Sequence, residues 1–559
     1  MNRNTQSHFA MTPSLDLKKL GLEGKRSKFN MPFKHKTTFN VGDVIPLMVT
    51  DVIPGDVFKQ VEKKAIRMAT PIGPVMDDLV FDTYTFFVPY RLVWEHFKEF
   101  MGENTTSKWE QTTEYTIPQI NSPTGGWQVG TIANYMGIPA EVECTISALY
   151  FRAYGLICNN WLRDQNLSDP CYVNLDDATQ TGSNGGTYQT DVQLGGLPFK
   201  AAKTHDYFTS ALPDPQKGPE VLLPLGETAP VLGNGKSIGL NNGTDNMSII
   251  GISDSYNEVA FSKNTYNTDI GTNGNFATFT GGSKAVGLTT NGAESGIIAD
   301  LSNAVAASII KVRQAEAIQR ILERDAIGGT RYHEITKSHY GVTTPDAVVQ
   351  IPEYLGGERI MINMDQVLQT SATNEITPQG NTAGYSFTVS VNNSYTKGFD
   401  EHGILMTVGV ARVLSRSYQQ GINRMFTKKH RLEMYWPELA NIGMQEILNK
   451  EIFAQGTSED DEVFGYQERY AEYKYKPNLI TGYMQSNVSG NLDFMHYGDD
   501  FESLPVLGDT FIREPVAPVD RTIAVSSDLT HQFYGEFEFD IEATRTMPLF
   551  SNPSLLSYL

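Results

Sequence analysis

The chain has 559 residues, of which 40% are apolar and only 19% charged, with 49 glycines and a net charge of −20. That length supports a large core without disulfide or metal support, and the low charge with abundant Gly, Asn, Ser and Thr points to a loop-rich β protein rather than a helical bundle. Three cysteines, Cys144, Cys158 and Cys171, fit no zinc spacing and read as free thiols of a reducing compartment. The first twenty residues have no apolar signal-like stretch, and the longest apolar run, Gly403 to Val413, is far short of the roughly 20 residues of a membrane helix.

Charge is uneven along the chain. Residues 1–36 hold eight basic residues (Arg3, Lys18, Lys19, Lys25, Arg26, Lys28, Lys34 and Lys36) against Asp16 and Glu23, a net +6, so the remainder carries −26. A basic arm on an acidic body is the asymmetry of a protein that touches nucleic acid at one end; a solvated terminus has the same composition.

Strands and turns are expected over 37–100. Asp51 to Asp56, "DVIPGD", reads as a Pro-Gly turn. In "VFDTYTFFVPYRLVW", Val80 to Trp94, alternation places Val80, Tyr84, Phe86 and Val88 on one face of a strand, and Phe81 and Phe87 on the other with Thr83 and Thr85. Both faces can be buried, and Pro89, with no N–H to donate, ends the ladder. A helix is expected from about Ile146 to Leu162. In 226–296, Gly, Asn, Ser and Thr fill 39 of 71 positions. Scattered Ile, Val, Phe and Tyr there predict an excursion of short strands rather than a bare linker.

The clearest helical pattern spans Asp300 to Gly329. Ser302 or Asp300 can cap it, Val305, Ile309, Val312, Ile318 and Leu322 lie near 3.6-residue spacing, and Gly328–Gly329 stops it. Further on, "YSFTVSV" sets Tyr385, Phe387, Val389 and Val391 opposite Ser386, Thr388 and Ser390. Near the end, Phe533, Phe537, Phe539 and Ile541 alternate with Glu536, Glu538, Asp540 and Glu542, the pattern of a half-buried strand with a wet acidic face.

Catalytic signatures are missing. "GNGKS", Gly233 to Ser237, has Pro230 where a phosphate-binding loop needs glycine. His333 and His339 are six apart, not the four of a zinc-protease helix. The acidic runs Gly498–Glu502 and Ser458–Glu462 lack calcium-loop spacing and read as solvated loops. No catalytic, cofactor or metal site is assigned. Tyr466, Tyr470, Tyr473 and Tyr475 interleave with Arg469, Lys474 and Lys476, a composition that suits a protein interface and, less specifically, stacked bases.

Four long segments converge in order: "MATPIGPVMDDLVFDTYTFFVPYRLVWEHFKEFMGE", "GGTRYHEITKSHYGVTTPDAVVQIPEYLGG", "FGYQERYAEYKYKPNLITG" and "ATRTMPLFSNPSL". Together they resemble the major capsid proteins of gokushoviruses, microvirus-group phages with single-stranded DNA, from about Thr37 to Leu555. The resemblance implies a mainly β protein built on an eight-stranded antiparallel viral jelly roll with long insertions and a few helices. It implies no enzyme activity and no cofactor, but a virion subunit assembled in the bacterial cytoplasm, 60 copies forming a T=1 shell through pentamers. Implied partners are the chain itself, the single-stranded DNA genome, a small basic DNA-packaging protein, a scaffolding protein, a pilot protein and a host receptor, with no membrane insertion.

On this reading 1–36 is a DNA-facing arm, with Lys18, Lys19, Lys25, Arg26, Lys28, Lys34 and Lys36 as contacts. The body runs over 37–225 and 297–559, and 226–296 is a surface protrusion at the threefold axes, exposed to a receptor. Trp94, Tyr466, Arg469, Tyr470, Tyr473 and Tyr475 are the expected subunit-interface residues, Trp94 lying in a segment that packs on the barrel or on the next subunit. The competing reading is an intracellular β-sandwich that binds or hydrolyses carbohydrate, with carboxylate pairs brought together only in space.

Overall fold

The stretch from Val80 to Val88 sits at the centre of the molecule, and its two faces enter two different cores. The computed structural model describes residues 26–104, 113–221, 309–368, 370 and 382–549, with five three-residue strands between 231 and 299. Eight long strands frame the main body: β1 (Ser27–Phe39), β2 (Ile45–Val52), β3 (Val57–Met68), β4 (Leu79–Pro89), β5 (Glu353–Met361), β6 (Thr388–Gly398), β7 (Gly403–Val413) and β8 (Phe533–Arg545). They form two antiparallel four-stranded sheets, in the orders β1-β8-β3-β6 and β5-β4-β7-β2.

The sheets share one core. Phe39 of β1, Phe58 and Ile66 of β3, and Phe533, Phe537 and Phe539 of β8 meet Phe81 and Phe87 of β4 and Leu405 and Val413 of β7. The Phe81 ring lies 5.3 Å from Phe39 and 5.4 Å from Phe537. Period-two alternation on β8 produces this directly: Phe537, Phe539 and Ile541 point in and the acids between them point out. Each fully buried ring contributes about 1.5–3 kcal/mol by leaving water.

The other face of the β5-β4-β7-β2 sheet is covered by the chain's own long connection from residue 90 to 201. Phe86 and Val88 of β4 and Ile404, Met406, Val408 and Val410 of β7 pack against Val93, Trp94, Ile132, Phe151, Tyr154 and Ile157. Burial on both sides explains why β4 and β7 read as almost unbroken apolar runs. The helix in this layer starts a few residues later than expected, at Leu149, runs as α-helix to Ile157 and continues as a π-helical turn over Cys158–Leu162, its expected end. Residues 145–147 instead form a strand paired with 119–121.

A third core, around Phe208, Tyr418, Ile447, Phe464 and Phe511, gathers the loops and short helices of the connection from 414 to 532. Close approach between β5 and β4 requires glycine at Gly357, where a Cβ would collide with the Thr83 carbonyl oxygen.

Residues Gly218–Leu322 form a separate compact unit. Within it, strand 239–241 lies between strands 246–248 and 287–289, and 231–233 pairs with 297–299, all antiparallel. The phosphate-loop-like Gly233–Ser237 falls mostly outside the described residues. The expected helix is Ile309–Gly328, ended by Gly329 at φ +103°. Its expected caps, Asp300 and Ser302, lie outside the described residues.

Candidate assembly surfaces

Nothing in the described main body covers the outer face of the β1-β8-β3-β6 sheet, and that face is built in two halves. On the β1–β8–β3 side the acids of β8 meet a row of lysines set opposite by register. Lys34 is 2.8 Å from Glu538 and 3.3 Å from Glu536, Lys63 is 2.8 Å from Glu538 and 2.7 Å from Asp540, and Lys28 is 2.9 Å from Glu542. Hydrogen bonds from Lys34 and Lys63 hold the Glu538 carboxyl down at about 2. The acidic face expected of β8 is therefore largely neutralised within the chain.

The β6 side reverses the usual alternation. Ser386 and Thr388 are buried, while Val389 is 60% and Val391 64% exposed, in line with exposed Tyr385 and Phe387. The cause lies on the facing strands. β3 turns Gln60, Glu62 and Lys64 inward, where Lys64 bridges Glu62 at 3.3 Å and Glu358 at 2.8 Å. Burial pushes the Glu62 carboxyl upward, partly offset by Lys64. Such an interior favours small hydroxyls beside it: Ser390 donates to Glu358 at 2.8 Å and Thr388 accepts the Asn363 N–H at 2.8 Å. The apolar side chains of β6 are left facing out, beside Arg67 stacked 4.8 Å over Phe387.

A second apolar surface lies on the loops of 422–442 and 466–483. Met425, Leu432, Met434, Ile442 and Tyr483 are exposed, and Phe426 is 80% exposed. The nitrogen of Lys428 sits 3.9 Å over the ring of Tyr473, and Arg431 4.6 Å over Trp436. Exposed Met, Tyr and Arg beside the half-buried Trp436 is the composition of an interface core.

The structure divides the expected interface residues. Trp94 is fully buried inside its own chain and donates to Asp177 at 2.5 Å, so its own side chain offers no surface to a neighbour. Tyr470 is also buried, with φ +62° and Arg469 stacked 5.3 Å over it. Tyr475 is half-buried against Tyr207, centroids 5.2 Å apart, and Tyr466 bridges to Leu212. Tyr473 is the exposed member of the set. Of the expected DNA contacts, Lys28 and Lys34 are ion-paired to β8, Lys36 is exposed on β1, Arg26 precedes that strand, and Lys18, Lys19 and Lys25 lie outside the described residues.

One acid of the run Gly498–Glu502 is not solvated, while Asp500 and Glu502 stay exposed. Asp499 is buried between Lys203 at 2.9 Å and Arg416 at 2.6 Å, and Arg416 also pairs with the buried Glu514. Burial alone would raise the Asp499 pKa, but the two cations outweigh it and hold the carboxyl below its ordinary value. This quartet ties the 201–203, 416–418, 499 and 513–514 segments together where β7 ends. No signal in the sequence marks it, because its members are up to 311 positions apart.

A family model for the phage capsid protein (F protein) matches residues 21–555. The chain belongs to this capsid protein family. It is 41% identical to capsid protein VP1 of Spiroplasma virus 4 over 95% of both chains. Identity to capsid protein VP1 of Bdellovibrio phage phiMH2K is 39%, over 99% of this chain and 98% of that one. Against capsid protein VP1 of Chlamydia phage 1 it is 33%, over 95% and 96%. The gokushovirus resemblance read from four motifs therefore extends over nearly the whole chain. Among the described residues, no helix is long and apolar enough to cross a membrane.

Proposed function

We propose that this capsid protein is the major shell subunit of a small phage, that 60 copies close a T=1 shell around single-stranded DNA, and that the chain has no catalytic role. The observation that carries the reading is the uncovered β1-β8-β3-β6 face with its outward apolar β6 row. A monomer would leave those groups in water, whereas a shell covers them with neighbours. The strand orders 1-8-3-6 and 5-4-7-2 support an eight-stranded jelly roll, with residues 90–201 and 414–532 as its large insertions.

DNA contact falls to the basic arm. With Lys28 and Lys34 neutralised by β8, the arm's remaining charge is concentrated in Arg3, Lys18, Lys19, Lys25, Arg26 and Lys36, and a small basic packaging protein supplies the rest. The segment 226–296 serves as the exposed protrusion that meets the host receptor. Scaffolding and pilot proteins act during assembly in the host cytoplasm.

Sedimentation with negative-stain imaging of the chain co-expressed with its neighbouring genes tests the reading. Closed particles with a nucleic-acid absorbance are expected, and a persistent monomer would overturn it. Deleting residues 1–25, which stops short of β1, lowers packaged DNA while the subunit stays folded. Undiminished DNA in those particles would remove the arm from this role.

A further inference from the structure

Beside Tyr84 and Phe86 of β4, six segments of the main body converge on a cleft of about 730 Å³. One wall is aromatic. Tyr84 and Phe86 of β4, Trp161 after the 149–157 helix and Tyr354 of β5 form a connected cluster, with Phe86–Trp161 and Phe86–Tyr354 centroids at 5.6 Å and Trp161–Tyr354 at 5.8 Å. Trp161 keeps 37% and Tyr354 41% of its surface exposed, unusual for rings so well clustered.

Five cations also line it, Arg163, Lys203, Arg331, Arg359 and Arg412, with His205 beside them. Asp164 is the sole acid of the lining, and its carboxylate accepts the Asn166 and Leu167 N–H groups of its own turn. Behind the lining the compensation is incomplete. Arg359 and Arg412 share the single buried carboxylate of Asp82, at 2.6 Å from the Arg359 Nε. Arg331 pairs with Glu334, and Lys203 with Asp499, which also serves Arg416. Arg163 makes no ion pair among the described residues, the adjacent Asp164 acting on it only at a distance; it donates to Gln165 and to the Ser168 carbonyl, both at 2.7 Å. The Nε atoms of Arg163, Arg331 and Arg412 are buried with no hydrogen-bond partner. Burial and the neighbouring Arg331 both act against the charge on Arg163.

In a chain of net charge −20 this is a local concentration of positive charge beside exposed rings. We infer that the cleft binds a nucleotide of single-stranded DNA, its base stacked on Trp161 and Tyr354 and its phosphate held by Arg163, Arg359 and Arg412. Planar rings accept any base, and guanidinium groups recognise phosphate oxygens in pairs, so the site takes single strands with little sequence preference. The inference rests on the reading that the shell encloses single-stranded DNA, and it places a contact on the folded body, apart from the arm.

Binding of a fluorescent ten-residue oligo(dT) to the full-length chain, followed by anisotropy across salt concentrations, tests it. Trp161→Ala and Tyr354→Ala each weaken binding roughly tenfold. Trp161→Phe restores most of it, and Arg359→Gln lowers the slope of log affinity against log salt by about 0.7. Equal melting temperatures verify that the variants fold. Wild-type binding that all these variants retain would overturn the cleft and leave DNA enclosure standing. An oligonucleotide that does not bind the wild-type chain also overturns the cleft, and the DNA content of wild-type particles then judges enclosure separately. If Trp161→Ala binds DNA normally but fails to assemble, the cleft belongs to a subunit contact and the inference is wrong.

Discussion

Arg416 shows what one side chain can hold. It is fully buried between Asp499 and Glu514, and removing it strands the buried Glu514 carboxylate and leaves Asp499 with Lys203 as its one cation among the described residues. Breaking a buried pair in this way costs about 3–5 kcal/mol, because the uncompensated charge outweighs the lost attraction. Arg416→Ala should therefore lower the subunit's stability by that amount in chemical denaturation. Lys34→Ala, on the exposed side of the sheet, should leave the denaturation midpoint close to wild type, because water screens an exposed pair. A second residue-scale expectation concerns acid. Glu538 titrates near 2 in the folded chain and near its ordinary value when unfolded. Its stabilising effect is therefore complete above the ordinary carboxylate range and fades as pH falls towards 2. The melting temperature of Glu538→Gln should fall less steeply than wild type across that window.

At the scale of elements, β4 and β6 stand at opposite ends of one rule. β4 is buried on both faces because each face meets a core. β6 keeps its alternation but turns the polar side in, since the ionic cluster of Glu62, Lys64 and Glu358 lies behind it. Its outward valines add nothing to the isolated subunit's core. Val389→Asp with Val391→Asp should leave melting within a few degrees of wild type while abolishing or strongly reducing particle formation by sedimentation. A loss of folding equal to the loss of assembly would show that the row serves the subunit itself. Gly357→Ala on β5 has the opposite signature, because the new Cβ meets the Thr83 backbone and destabilises the sheet before any neighbour is involved.

For the whole molecule, the main body and the Gly218–Leu322 unit are separable in their internal contacts. Replacing residues 226–296 by a short Gly/Ser linker should preserve the body's cooperative melting, since lengthening or shortening a loop changes closure entropy only slowly. If the segment is the receptor-facing protrusion, particles carrying the replacement should form yet adsorb to host cells poorly; normal adsorption would reassign it.

The amino-acid pattern by itself determined the elements whose alternation or motif is local. The two-faced run Val80–Val88 and the Phe/Glu alternation of β8 could be read directly, because side chains on a strand alternate whatever packs on them. The four capsid motifs were legible for the same reason, each being contiguous. What alternation cannot state is which face meets the core, and there the tertiary structure decided. It turned the hydroxyls of β6 inward, took Trp94 into the chain's own second core, and matched Lys28 and Lys34 to acids some 500 positions away. Asp499 read as a loop acid until Lys203 and Arg416 closed on it. The cleft of Trp161, Tyr354 and the arginines had no trace in any one stretch, because its charge and its rings come from six segments that only the tertiary packing brings together.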